Sequence, residues 1–141
     1  MSDGVFSHTG LENIRLPRAL KIIREYTFDS CNDLKEIVFD PESALEEIEP
    51  WAFEEAGLTT FVAPPSLRKI GEEAFYKCSE LRDFRLNDGI RKLGPFCLRG
   101  TAVTDVKLPW RVKTDLEELG IVPTDQKVLR IPNKLKVIKD S

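Results

Sequence analysis

No apolar run in the chain approaches the roughly 18 residues needed to cross a bilayer, and the N-terminal stretch from Met1 to His8 has neither the basic start nor the apolar segment of a signal peptide. Membrane insertion is therefore set aside. The chain as given is expected to be cytoplasmic, with the cell surface as the alternative if it is a piece of a longer protein. Nor is there a block of charge of one sign. The 21 basic and 24 acidic residues are mixed along 141 positions for a net charge of -3, which leaves no electrostatic footprint for a nucleic acid. Cysteine is sparse and odd in number (Cys31, Cys78, Cys97), unlike the dense, even frameworks of small secreted domains, and this fits a reducing compartment. Histidine occurs once, as His8, and no cysteine or second histidine lies at ligand spacing from it, so it is expected to be solvated and no metal site is expected. Glycine never clusters; Gly57, Gly71 and Gly94 read as isolated turn glycines, and a phosphate-cradling loop is excluded.

What is present in abundance is repetition. Leu11-Glu-Asn-Ile14-Arg-Leu16-Pro17 returns as Leu34-Lys-Glu-Ile37-Val-Phe39, Leu58-Thr-Thr-Phe61-Val-Ala63-Pro64, Leu81-Arg-Asp-Phe84-Arg-Leu86 and Val103-Thr-Asp-Val106-Lys-Leu108-Pro109, with a weaker sixth copy at Gln126-Lys-Val-Leu129-Arg-Ile131-Pro132. Position 11 to position 126 is five periods in 115 residues, an average of 23. A period of this length signals a solenoid. Each copy continues with an apolar pair three apart (Leu20 and Ile23, Leu45 and Ile48, Leu67 and Ile70, Ile90 and Leu93), then a small residue followed by a large one: Thr27-Phe28, Ala52-Phe53, Ala74-Phe75, Cys97-Leu98. Three residues further on stands a small residue, Cys31, Ala56, Cys78 or Thr101. The fifth copy obeys the pattern only if one inserted residue is allowed after Val112, and that coil is expected to be distorted.

A column that holds one residue size through successive periods has a physical cause. Stacked coils pile equivalent side chains into ladders, and a change of volume at one rung leaves a void or a clash. The period-2 alternation around Ile14 and Leu16 predicts a strand buried on one face, so the copies predict a short parallel sheet of six strands. Pro17, Pro64, Pro109 and Pro132 end the pairing because proline has no N–H to donate. The Ala-Phe segments, flanked by Glu, Lys and Arg, read as single helical turns on the opposite side. The expected fold is an α/β repeat, a leucine-rich-repeat solenoid of about six coils. It forms one domain over residues 1–141, with an N-terminal half coil at 1–10, five coils over 11–125 and a C-terminal half coil at 126–141.

The pattern, clearest in Leu67-Arg-Lys-Ile70-Gly71-Glu-Glu-Ala74-Phe75-Tyr-Lys-Cys78 and Leu58-Thr-Thr-Phe61, resembles the BspA-like leucine-rich repeats over nearly the whole chain. That resemblance implies a microbial protein, often at a cell surface, in adhesion and protein binding.

The residues that invite a chemical reading have plainer explanations. Cys31 and Cys78 share a coil position, but two coils at about 4.8 Å each place them about 9 to 10 Å apart, beyond the roughly 7 Å limit for a disulfide. All three cysteines read as buried, reduced core. A nucleophile would have only His8 as its base, and pairs such as Glu46-Glu47 and Glu72-Glu73 fall on the wet side of the coil, so no enzyme and no cofactor are expected.

The open face of the sheet is where a repeat protein usually binds. It should carry Arg15, Val38, Val62, Arg85, Lys107 and Arg130, with Asn13, Glu36, Thr60, Asp83, Asp105 and Val128 two residues earlier. Asp83 and Asp105 neutralise Arg85 and Lys107, which leaves a charge-laced rim beside a more apolar centre at Val38, Thr60 and Val62. Trp110, at the lip of the sheet, is either a contact hot spot or a cover for the fifth coil, and Trp51 is expected to shield the core. The candidates for protein binding are Val38, Thr60, Val62, Arg85, Lys107 and Trp110. Both ends look like open half coils, so Phe6 and Leu11 at one end and Leu135 and Ile138 at the other are the candidates for self-association into a homo-oligomer.

Overall fold

A computed structural model describes residues 5–104, 106–109, 112 and 116–120. These residues wind into a parallel β-solenoid of about four turns. Along the front run β1 (Asn13–Leu16), β3 (Glu36–Phe39), β5 (Thr60–Val62) and β7 (Asp83–Arg85), one to a coil. Each is followed by a strand of two residues, β2 (Ile22–Ile23), β4 (Glu47–Ile48), β6 (Lys69–Ile70) and β8 (Lys92–Leu93). The second set forms one continuous parallel ladder in the order β2-β4-β6-β8, with Ile23, Ile48, Ile70 and Leu93 in register.

The front is less regular than the expected single sheet. It divides into two pairs, β1 with β3 and β5 with β7. The division coincides with a change of coil length. From the last inward residue of the front strand to the next core position is four residues in coils 1, 3 and 4 (Leu16 to Leu20, Ala63 to Leu67, Leu86 to Ile90) but six in coil 2, from Phe39 to Leu45. Coil 2 recovers one residue afterwards, with two steps from Ala56 to Leu58 where coils 1 and 3 take three. At this seam the Thr59 N–H reaches the Lys35 carbonyl at 3.2 Å.

The third side corrects the expectation of helical turns. The only α-helix among the described residues is α1 (Leu116–Leu119), in the fifth coil that the sequence marks as irregular. In coils 1 to 4 the Ala-Phe segments are tight turns whose amides bond across coils: Phe28 N–H to Ala52 O at 2.8 Å, Phe53 N–H to Ala74 O at 2.8 Å, Phe75 N–H to Cys97 O at 3.0 Å. A donor spent on the neighbouring coil is not available to the carbonyl four residues back, so an α-helix does not form. The turns bend by placing two residues per coil at positive φ, Tyr26 and Ser30, Trp51 and Glu55, Glu73 and Lys77, Phe96 and Gly100. Only the last of these is glycine. The others accept a conformation that costs an L-residue roughly 1–2 kcal/mol.

Inside, the ladders are as regular as the repeats suggest. Phe28, Phe53 and Phe75 are fully buried. Their rings stack at 5.1 Å and 8° (Phe28 on Phe53) and at 5.1 Å and 1° (Phe53 on Phe75). Phe6 continues the column at 5.4 Å from Phe28. Phe61 and Phe84 approach the column from the front strands, Phe61 lying 4.9 Å from Phe75.

Cys31, Cys78 and Cys97 are buried and free. The Cys31 and Cys78 thiols donate to the Phe6 carbonyl at 2.9 Å and the Phe53 carbonyl at 3.0 Å. Burial pushes the Cys78 and Cys97 thiols up to about 12. Since the thiolate is the reactive species, iodoacetamide at pH 8 is expected to leave Cys78 and Cys97 unmodified in the native protein and to label all three cysteines after unfolding in denaturant. Mass spectrometry reads the outcome. Native labelling of Cys78, or a Cys31–Cys78 disulfide, would contradict the packing.

Candidate functional site

Strand alternation turns Ile14, Ile37, Phe61 and Phe84 inward and leaves Arg15, Val38, Val62 and Arg85 on the open front face. The register sets Arg15 opposite Val38 and Val62 opposite Arg85. The two valines therefore occupy the middle of the face, one on each side of the seam between the strand pairs, with a guanidinium flanking each. Val38 is half-buried, whereas Val62 is 54% exposed, a large value for an aliphatic side chain in a strand.

On the Val62 side of this centre polar groups satisfy one another. Asp83 accepts from Arg85 Nε at 3.0 Å through Oδ1 and from the Thr60 hydroxyl at 3.3 Å through Oδ2. Both members of the ion pair are well exposed, so it contributes about 0–1 kcal/mol and serves chiefly to cancel charge. Lys107 is exposed between the buried Val106 and Leu108. Asp105, Trp110, Val128 and Arg130 lie outside the described residues.

At the N-terminal end Phe6 is half-buried. Its N–H bonds to the Thr27 carbonyl at 2.9 Å, and the His8 N–H bonds to the Asp29 carbonyl at 2.9 Å. Leu11 is also half-buried against the core. These residues lie over the first full coil and leave part of their apolar surface uncovered. Leu135 and Ile138 lie outside the described residues. His8 is exposed, 3.8 Å from Asp29.

Two features of the turn side were not read from the sequence. Tyr26 and Trp51, both at positive φ, stack outside the solenoid at 5.7 Å and 7°, and Trp51 Nε1 donates to Glu73 at 2.9 Å. Trp51 thus shields the turn surface rather than the interior. Their signal was the alignment of Tyr26, Trp51 and Phe96 in one column, two residues before the large core residue. The second feature is an open polar notch of about 440 Å³ lined in part by Asn32, Gly57, Lys77 and Glu80, where coil 2 is one residue short, with Lys35 and Glu80 paired across it at 3.3 Å. Among the described residues no group of three metal-ligating side chains converges, and no helix is long and apolar enough to cross a membrane.

Comparison with known proteins agrees with this geometry. The BspA type leucine-rich repeat region matches residues 1–117 in six copies. A solved leucine-rich repeat protein of T. pallidum superposes with a TM-score of 0.67 at 22% identity, over 89% of this chain and 64% of its own. The pneumococcal vaccine antigen PcpA superposes equally well, TM-score 0.67 at 24% identity, over 88% of this chain and 27% of its own. The chain thus spans less than two thirds of either relative. Curated protein sequences give no match. With a solenoid of stacked 23-residue coils and a family match over most of its length, the chain belongs to the BspA-type leucine-rich repeat family.

Proposed function

We propose that this repeat module is a non-catalytic protein-binding unit that engages its partner through the front face, centred on Val38 and Val62. The observation that carries this reading is the exposure of Val62, 54%, beside Val38 at the middle of a face on which Arg85, the cation next to Val62, is already paired with Asp83. A charged rim around an apolar centre resembles the anatomy of protein interfaces, in which charge is depleted at the core. Thr60, Arg85 and Lys107 form the rim, and Trp110 belongs to the same proposal. A photo-crosslinker at position 62 is expected to trap protein, and one at Lys77 on the turn side is not. Val62→Glu is expected to abolish the complex captured through the front face while the melting temperature stays within about 2 °C of wild type, as expected for a surface substitution. Crosslinking of equal yield from both sides would sink the assignment.

Self-association through the solenoid ends is part of the same proposal, because Phe6 and Leu11 leave apolar surface uncovered at one end. Light scattering coupled to size exclusion is expected to show a species larger than 16.1 kDa that dissociates on dilution. Phe6→Asp and Ile138→Asp are expected to shift it to smaller mass. A strictly monomeric wild type at high micromolar concentration would refute it. The alternative, a stretch of a longer cell-surface adhesin, rests on family likeness, and further 23-residue repeats in the flanking coding sequence are its test.

A further inference from the structure

The second ladder assembles a cationic array that is split in the sequence. Along it the outward residues pair as Lys21-Ile22 in coil 1, Glu46-Glu47 in coil 2, Arg68-Lys69 in coil 3 and Arg91-Lys92 in coil 4. The register places Lys69 opposite Glu47 on one side and opposite Lys92 on the other. The Arg91 and Lys92 N–H groups both donate to the Arg68 carbonyl, at 2.8 and 3.2 Å, so the two dibasic pairs sit on adjacent rungs. Four cations 23 residues apart in pairs thereby share one small patch, with rungs about 4.8 Å apart.

Compensation differs between the two halves of this ladder. Lys69 reaches Glu47 at 3.5 Å. Arg68 is half-buried and anchored through Nη1 to the carbonyls of Pro65 at 2.9 Å and Leu67 at 3.2 Å, which engages only part of a guanidinium that carries five N–H donors. Arg91 and Lys92 are exposed, and among the described residues neither has a carboxylate partner. Like charges directly opposite in a ladder are destabilising. Other exposed cations, whether paired with an acid as Arg18 and Arg85 are or without an ion pair as Arg15 and Lys77 are, stand singly along the chain; among the described residues only Arg68-Lys69 and Arg91-Lys92 are consecutive cations brought onto adjacent rungs.

We propose that Arg68, Lys69, Arg91 and Lys92 form a binding site for a sulfated glycan, separate from the front face. The patch is two residues wide and two rungs deep, bordered by Glu46 and Glu47 on the coil 2 side. That footprint suits a flexible chain with closely spaced sulfates. It does not suit a rigid duplex, whose further phosphates would fall against those glutamates.

Titration of the 141-residue chain with heparin at low salt is expected to show saturable binding that weakens steeply as salt rises, since release of counterions drives such contacts. Arg91→Ala/Lys92→Ala is expected to lower the affinity at least about tenfold and to reduce the slope of log K against log salt by about 2. Arg91→Lys/Lys92→Arg restores both. Arg15→Ala/Arg18→Ala removes the same charge elsewhere and leaves binding within about twofold of wild type. In the wild type, heparin protects Lys69 and Lys92 from acetylation but not Lys77. The proposal is overturned by an equal loss in the two alanine double variants, by desulfated heparin binding as tightly as heparin, or by tighter binding to single-stranded DNA or to phosphatidylserine vesicles than to heparin.

Discussion

Phe53→Ala is expected to destabilise the protein by about 3–5 kcal/mol, the range for removing a fully buried aromatic ring and leaving a cavity. Phe53 has no exposed surface and is held between two parallel rings, Phe28 and Phe75, with Phe61 tilted against it at 6.3 Å. The rigid coil spacing prevents its neighbours from collapsing into the gap, so the cavity contribution is retained. For a domain of this size the loss lowers the melting temperature by roughly 10–15 °C. Glu36→Ala, on the exposed front, should stay within about 0.5 kcal/mol of wild type. Chemical denaturation of the two variants side by side is the test, and a Phe53→Ala loss as small as that of Glu36→Ala would mean that the aromatic column is not the core.

Gly94→Ala carries the second large effect, and its sign is informative. Where a glycine is merely flexible, alanine stabilises by about 0.4–1 kcal/mol by restricting the unfolded chain. At position 94, however, a Cβ would run into the backbone of coil 3, against Gly71 C, Glu72 N and Glu72 Cα, the last at 2.8 Å. Backbone held by the ladder cannot swing aside as a lysine tip can. The coils must separate locally, and the Gly94 N–H bond to the Ile70 carbonyl, 2.7 Å, is strained with them. A loss on the order of 3 kcal/mol is expected, at the upper end of the cost of overpacking. A stabilised Gly94→Ala would show that coils 3 and 4 do not approach as closely as described.

The parts of this fold that were legible in the sequence are those fixed by volume. Phe28, Phe53 and Phe75 announce a column because each rung must match the next, and Cys31, Ala56 and Cys78 announce a second because only small groups fit there. What escaped is set by backbone direction. An apolar pair three apart, Leu67 and Ile70, has a helical spacing, yet the Leu67 N–H closes a turn on the Pro64 carbonyl and Ile70 then enters a strand of two residues. Side-chain periodicity cannot report such a change of direction within four residues. The turns eluded the reading for a related reason, since Tyr26, Trp51, Glu73 and Lys77 adopt positive φ without being glycine. The front-face residues were legible because strand alternation fixes them. The cationic array was not, because pairwise neutrality along the chain concealed what the coil period brings side by side.

The two extra residues in coil 2 also bear on how the four turns hold together. A solenoid behaves as a row of units joined to nearest neighbours, and its cooperativity is only as strong as its weakest junction. Between coils 2 and 3 the front ladder lapses, while β4 and β6 remain paired and Phe53 remains stacked on Phe75. At the front that junction is held by the Thr59 to Lys35 hydrogen bond and the edge-on contact of Phe39 with Phe61 instead of by a ladder. As the front junction with the fewest backbone bonds, it is expected to open before the paired β4 and β6 part, which would place the first local opening between Val38 on one side and Val62 on the other.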